Sequence, residues 1–453
     1  MRKIAIIGSG ITGLAAAHGL RRAGLEVDLY SDRTAAQWLH ESRPTGTAAR
    51  FEIARAYERE LGLDFWDGLA PDGEGVHLTF CPKLGNRLIR LVGRFEQPFQ
   101  AVDVRLQSAR WMEELERRGG RIHIEQVGVE RLALIAASHD LTLVAAGRAD
   151  LCRLFPRDDR RNVYVAPRRN LAMVVTTGGP PYFYDMPLLP VKFDFLGTDG
   201  EVFIVPYFHK DHGRSWNILI EAKEGSRLDR FTTVKSGEEA VETMKQVVAE
   251  LFPWDAPFVR NMRLADPNGW LAGAVTPTVR RPSAQLANGA LVAALGDTAI
   301  SFDPIAAQGA NSGIKQACHV VESIAARGDG AFDREWIEAT FDAYWTEHAR
   351  HAFAFSNLLL EPITAPAKEL LIAQYGSDGR EDNLSGAQRV ANAFVENFND
   401  PRTLTAAFTD MEQARRVIAA NAGPWQWNGV RGRASIARDQ ARQAVARMTG
   451  RAT

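Results

Sequence analysis

The sequence predicts an α/β protein with a Rossmann-like nucleotide-binding layer, an inserted β-rich unit and a helical C-terminal region. Three observations predict it. The chain opens with a short apolar run, a glycine turn and an Ala/Leu-rich segment, the order strand, turn, helix. Its middle is rich in Val, Tyr, Phe and Trp in short runs cut by Gly, Pro, Asp and Asn, the texture of antiparallel strands. Near Ala290 an apolar run ending in Gly296 leads again through a loop into a helix, so the opening layer is interrupted and resumed.

Taken in order, Lys3–Ile7 reads as a buried strand, Thr12–Ala23 as a helix and Leu25–Tyr30 as a second strand after Gly24, a βαβ start that implies a parallel sheet. Arg105–Arg118 reads as a helix closed by Gly119-Gly120, followed by strands at Arg121–Ile124 and Leu141–Ala146. Met173–Thr176, Glu201–Pro206 and Trp216–Glu221 read as strands of a separate sheet, and residues 238–251 as a helix stopped at Pro253. Ala290–Leu295 is a strand, and a helix begins near Gln308. Beyond Asp333 the chain is Ala-rich with Phe341, Tyr344, Trp345 and Phe353 at helical spacings. These readings divide the chain into a nucleotide-binding domain over 1–165 and 271–330, a β-sheet substrate domain over 166–270, and a helical region over 331–453 with an Arg-rich tail.

Composition narrows the function. The 453 residues are 45% hydrophobic and 24% charged, with 54 Lys+Arg against 55 Asp+Glu, which leaves no basic field to drive binding to nucleic acid or anionic membranes. Three scattered cysteines, Cys81, Cys152 and Cys318, offer neither a disulfide framework nor zinc-ligand spacing, so no metal is expected. The N-terminus lacks a signal-peptide apolar region and no apolar run reaches the roughly 18 residues of a membrane span, which makes a cytoplasmic location the expectation.

The glycine turn carries the first chemistry. In Gly8-Ser9-Gly10-Ile11-Thr12-Gly13, Gly8 permits the tight turn, Gly10 lets a pyrophosphate approach the backbone, and Gly13 lets helix and sheet touch. The helix N-terminus then faces the phosphates with free N–H groups. Asp32 stands at the end of the second strand, about 20 residues beyond the third glycine, where a carboxylate accepts from ribose hydroxyls. NAD and FAD share this fingerprint. The segment Gly296-Asp297 through Gln308-Gly309-Ala310-Asn311 points to FAD: Asp297 can hold a ribityl chain, and the Gly309-Ala310-Asn311 amides at a helix start can hold the pyrimidine edge of an isoalloxazine.

With these segments in place, the sequence resembles the FAD-dependent oxygenase component of styrene and indole monooxygenases. The resemblance rests on Ile6-Ile7-Gly8-Ser9-Gly10, Tyr30-Ser31-Asp32-Arg33, Ala101-Val102-Asp103-Val104-Arg105-Leu106, the Gly296–Asn311 segment and Asn397-Phe398-Asn399-Asp400-Pro401, spread over most of the chain. It implies a glutathione-reductase-type FAD fold with Ser9, Thr12, Arg33 and Gly296 beside the residues already named, and Arg105 either at the cofactor or in an ion pair with Asp103. It also implies a two-component system. A separate NADH-dependent flavin reductase supplies FADH2, O2 adds to form a C4a-(hydro)peroxyflavin, and one oxygen atom passes to a styrene- or indole-like substrate by epoxidation or hydroxylation. A single-component NAD(P)H-dependent hydroxylase, a non-catalytic flavin carrier and a homodimer all stay open.

Such chemistry needs an apolar, water-free pocket rather than an acid–base pair. Pocket candidates are Phe203, Val205 and Tyr207, alternate residues of one strand, with Phe302 and Pro304 of the flavin loop. Where the family carries an Asn-x-Val-x-His stretch, this chain reads Gly46-Thr47-Ala48-Ala49-Arg50. Gly46 removes a side-chain amide, and Arg50 is expected to meet either a substrate carboxylate or the FAD pyrophosphate. His77, His209 and His212 lack metal spacing and nucleophilic partners, and read as surface or structural residues.

Overall fold

The computed structural model describes residues 2–147, 149–183 and 186–448. Lys3–Ile7 lies inside a six-stranded sheet, with Glu26–Ser31 and Arg121–Ile124 on one side and Leu141–Val144, Leu291–Ala294 and Ser283–Gln285 on the other. The pairings are parallel except the last, where Ser283–Gln285 runs against Leu291–Ala294. The first strand is continuously apolar because both faces are covered. Ile4 and Ile6 join a core with the helix Ile11–Arg22, while Ala5 and Ile7 join another with Phe302, Phe341, Tyr344 and Phe353. This is the Rossmann-like layer the sequence predicts, with its resumption at Leu291–Ala294.

The second sheet has nine strands. Asn170–Thr177, Gly200–His209 and Gly213–Ala222 contain the three expected segments and extend each of them. Two long strands, Gly73–Cys81 and Ile89–Ala101, come from the stretch expected to belong to the nucleotide-binding domain, so the boundary at 166 does not describe this sheet. The reason is non-local: Gly73–Cys81 pairs in parallel with Pro190–Leu196, whose partners stand more than a hundred residues further along the chain. Strand periodicity shows that a segment is extended, but not which distant segment completes its ladder.

Alternation sorts this sheet into two faces. Val202, Ile204, Ile218 and Ile220 pack on the helix Gly237–Leu251 through Val241, Met244 and Val248. Phe203, Val205, Tyr207, Leu219, Met173 and Val175 point the other way, into a core shared with Ile305 and Ala306 and with Phe355, Phe394 and Phe398 of the helical end. The inserted sheet therefore lays one face against the Gly296–Asn311 loop.

The C-terminal region is helical from Arg334 to Met448, interrupted by loops and by a π-helical turn at Trp345–Ala349. Residues 449–453 of the Arg-rich tail lie outside the described residues. The Asn397–Pro401 motif is a clamp. Asn399 Oδ1 accepts from Ile53 N at 3.0 Å, its carbonyl accepts from Lys315 Nζ at 2.7 Å, and the Phe398 carbonyl accepts from Gln308 Nε2 at 2.9 Å. It fixes the start of the helix Gln308–Arg327 against the helix Glu52–Glu60. Among the described residues no helix is long and apolar enough to cross a membrane, and no group of three His, Cys, Asp or Glu could hold a metal ion.

Candidate functional site

The glycine turn divides its three glycines by what surrounds them. Gly8 has φ +117°, and a Cβ there would stand 2.7 Å from the Ala145 carbonyl oxygen. A Cβ on Gly13 would stand 2.1 Å from the Gly8 oxygen, so these two glycines shape the turn itself. Gly10 differs: no atom of the protein lies within 4 Å of where its Cβ would be. Gly10 is also the N-cap of Ile11–Arg22 and supplies no side-chain cap, which leaves the first-turn amides facing outward. Thr12 stands against Gly296 and Gly313, bringing this turn next to the Gly296–Asn311 segment.

Asp32 is exposed at the strand end, paired with Arg33, whose guanidinium lies 4.6 Å over the Trp38 ring. Ser9 Oγ is 2.7 Å from Ser31 Oγ and accepts from Trp38 Nε1 at 2.9 Å, so its side chain braces the turn. Asp297 is exposed just past the end of the strand Leu291–Ala294; desolvation pushes its carboxyl up, with Arg280 acting against the shift. Arg280 in turn donates to the Asp297 carbonyl at 3.1 Å and holds the loop.

At the start of Gln308–Arg327, Gly309 again has no atom within 4 Å of a built Cβ. Ala307, its N-cap, sits in the left-handed region at φ +52°, and Ala48 does the same at φ +49°. These are the two non-glycine residues with positive φ among the described residues, and both border the site. The Asn311 side chain is not free for a ligand: Nδ2 donates to the Ala49 and Ala307 carbonyls, and Oδ1 accepts from Phe51 N at 2.9 Å. It holds Ala307 directly and the chain just after Ala48 through Ala49 and Phe51, which leaves the contribution of Asn311 to its backbone. Two clear glycine cradles at two uncapped helix starts, with the exposed Asp297 carboxylate in the segment between them, fit an extended dinucleotide such as FAD.

Arg50 does not face a ligand. It is fully buried; Nε donates to Glu58 Oε1 and Nη1 to the Ala48 carbonyl at 2.7 Å. The expectation of a substrate-facing or pyrophosphate-facing cation meets an ion pair already made, because Glu58, eight residues on in the helix Glu52–Glu60, needs that charge. Arg105 shows the predicted pair with Asp103, but in the interior and doubled. Both carboxylates grip it bidentately, Asp103 at 2.9 and 2.7 Å and Asp266 at 3.0 and 2.8 Å, and His209 Nε2 lies 2.7 Å from Asp266. His209 is thus buried rather than on the surface, and so is His77, whose burial lowers its pKa well below the usual value. His212 stacks on His209 with ring centroids 5.1 Å apart.

The pocket candidates separate. Phe203, Val205 and Tyr207 line the sheet face that meets Ile305 and Ala306, with Phe193 4.2 Å from Phe203 between ring centroids. Pro304 is half-buried and begins the turn that carries Ile305. Phe302 belongs elsewhere: it packs with Phe353 in the core under the six-stranded sheet, because Asp303 and Pro304 reverse the chain between Phe302 and Ile305. Gly46 has open space around it. Sequence reading passed over the polar members of this face. Glu221, Asn217 and Tyr207 share the inward parity of Leu219 and Phe203, a parity visible in Trp216-Asn217-Ile218-Leu219-Ile220-Glu221. Burial, with Asp303 and Glu201 nearby, raises the pKa of Glu221 well above the carboxylate range. Neither of its oxygens accepts a hydrogen bond, so the pair is satisfied when Glu221 keeps its proton and donates it to Asp303.

Known proteins match this chain along most of its length. Residues 147–257 match the family described as "Styrene monooxygenase A putative substrate binding domain", and residues 6–54 match an NAD(P)-binding Rossmann-like domain. Styrene monooxygenase StyA of Pseudomonas fluorescens and that of a Pseudomonas sp are each 26% identical over 428 residues, covering 91% of this chain and 96% of theirs. Among solved structures, the flavin-dependent brominase Bmp2 superposes with TM-score 0.57 at 15% identity, over 97% of this chain and 99% of its own. A flavoprotein/dehydrogenase of Cytophaga hutchinsonii gives 0.58 at 12% identity, over 90% and 98%. These two structures carry the fold.

Proposed function

We propose that this styrene monooxygenase-like chain, an FAD-dependent monooxygenase, takes its flavin already reduced from a separate NADH-dependent reductase and oxygenates a small aromatic compound in the cytoplasm. The observation that carries the reading is the shared core of the Ile305–Ala306 turn and the Phe203, Val205, Tyr207 face, which sets an aromatic floor against the place for the flavin.

The Gly8–Gly13 turn and the amides after Gly10 would take the pyrophosphate, Asp32 the ribose, Asp297 the ribityl chain, and the Gly309–Asn311 amides the pyrimidine edge. When bound in reduced form, FAD supplies activation of O2 and a transferable oxygen atom. The chain itself does three things. The Asn311 clamp and the Asn397–Pro401 motif fix the flavin-side helix start. Phe51, Phe95, Phe99, Phe355 and Phe398 form a wall of ring contacts that excludes water from the reacting face. The sheet face orients the substrate ring for epoxidation or hydroxylation.

The absence of a second glycine-rich strand–turn–helix among the described residues supports reduction by a partner. Chemically reduced FAD, O2 and a panel of styrenes, indoles and aromatic acids form the test. Oxygenated product without any nicotinamide is the expected result. Rapid bleaching of the bound flavin by NADH or NADPH alone would replace the two-component reading with a single-component hydroxylase.

A further inference from the structure

We infer that Asn217 and Tyr207 select the substrate, and that the substrate is a neutral aromatic compound bearing a hydrogen-bonding substituent, such as a phenolic hydroxyl or a carboxamide. The inference rests on the monooxygenase reading above and names the substrate class of that site. Both residues are fully buried, at 0% exposure, on the sheet face that meets Ile305 and Ala306. Asn217 stands opposite Val205, which places Tyr207 diagonally next to it across the ladder. Neither the Asn217 amide nitrogen, nor its oxygen, nor the Tyr207 hydroxyl has a hydrogen-bond partner among the described residues.

A buried amide with both ends unpaired is costly unless something supplies a donor and an acceptor. Val175, Leu219, Phe203 and Val205 around Asn217 are apolar, and the nearest hydroxyl, that of Ser215 opposite Tyr207, is already spent on the Tyr207 carbonyl at 3.1 Å. A hydroxyl or carboxamide on the substrate ring provides both functions to Asn217 and reaches Tyr207 next to it. Charge is excluded by what surrounds the pair. Arg50 is held by Glu58, and Arg105 by Asp103 and Asp266, so among the described residues both of these cations are already committed rather than free to receive a carboxylate. A site built this way discriminates against the analogue lacking the polar group, because its own buried groups are then left unpaired.

The full-length protein loaded with oxidised FAD provides the test, read as perturbation of the flavin absorbance on titration with styrene, 4-hydroxystyrene and 4-vinylbenzamide. We expect the two polar ligands to bind roughly tenfold or more tightly than styrene. Asn217→Leu should erase that preference and Tyr207→Phe should reduce it, with both variants retaining FAD. Equal binding of all three ligands by the parent protein, or a preference unchanged in Asn217→Leu, overturns the inference and assigns the unpaired atoms to ordered water. If polar ligands bind preferentially but no ligand is oxygenated with reduced FAD and O2, the monooxygenase reading fails while the assignment of Asn217 and Tyr207 stands.

Discussion

Replacing Gly10 by Ala separates cofactor binding from folding more cleanly than any other change in the glycine turn. Gly10 has φ −74° and ψ 174°, an ordinary extended conformation, and no protein atom lies within 4 Å of the new methyl. Two small effects oppose each other in the apoprotein. Alanine is a poorer N-cap than glycine, while losing a glycine restricts the unfolded chain; together they leave stability within about 1 kcal/mol of the parent. With the cofactor the balance is different, because the open space over Gly10 is where a pyrophosphate would lie. Loss of one charge-assisted hydrogen bond at about 1.5–3 kcal/mol weakens FAD binding by about 13- to 160-fold. Differential scanning calorimetry of the apoprotein and a fluorescence titration with FAD measure the two quantities. Gly13→Ala is the contrast: its Cβ would meet the Gly8 oxygen at 2.1 Å, so it should destabilise the apoprotein itself. An unchanged FAD affinity in Gly10→Ala, or an apoprotein melting several degrees lower, would falsify the assigned role.

Arg50→Met should destabilise the protein by about 3–5 kcal/mol, because Glu58 would be left buried and unpaired; a thermal midpoint equal to the parent's would show that the pair does not hold this corner. Glu221→Gln should raise the thermal midpoint, and more so at pH 8 than at pH 5. The raised folded-state pKa means that Glu221 opposes folding increasingly as pH climbs from about 4.3 toward that higher value, whereas Gln keeps the donor to Asp303 and does not titrate. A gain independent of pH would contradict the assignment of the proton to Glu221. Asp297→Asn should weaken FAD binding by about 1.5–3 kcal/mol per charge-assisted bond lost, measured by the same titration; undiminished affinity would move the ribityl contact elsewhere.

The residues that sequence reading picked out differ in how local their logic is. Gly8 and Gly13 were legible because a turn between strand and helix needs them whatever surrounds it, whereas the turn does not need Gly10, which stays open in an ordinary extended conformation. The helix start at Gln308 was legible for the same reason. Arg50 was not. Its family position suggested a cation in the pocket, but its direction is set by Glu58, eight residues away on the next helix. Phe302 failed similarly, since the turn at Asp303-Pro304 sends it to one core and Ile305 to another.

The sequence by itself determined the nucleotide-binding layer, the inserted strands, the helical end and the class of cofactor, because strand alternation, glycine turns and helix starts are written within a few residues of each other. Tertiary structure alone decided that Gly73–Cys81 and Ile89–Ala101 join the inserted sheet, and which buried charges already have partners. It also decided that Asn217 and Tyr207 stand unpaired on the face against the flavin loop. Those facts depend on which distant segments meet, and burial gives a polar atom a meaning only when everything around it is known.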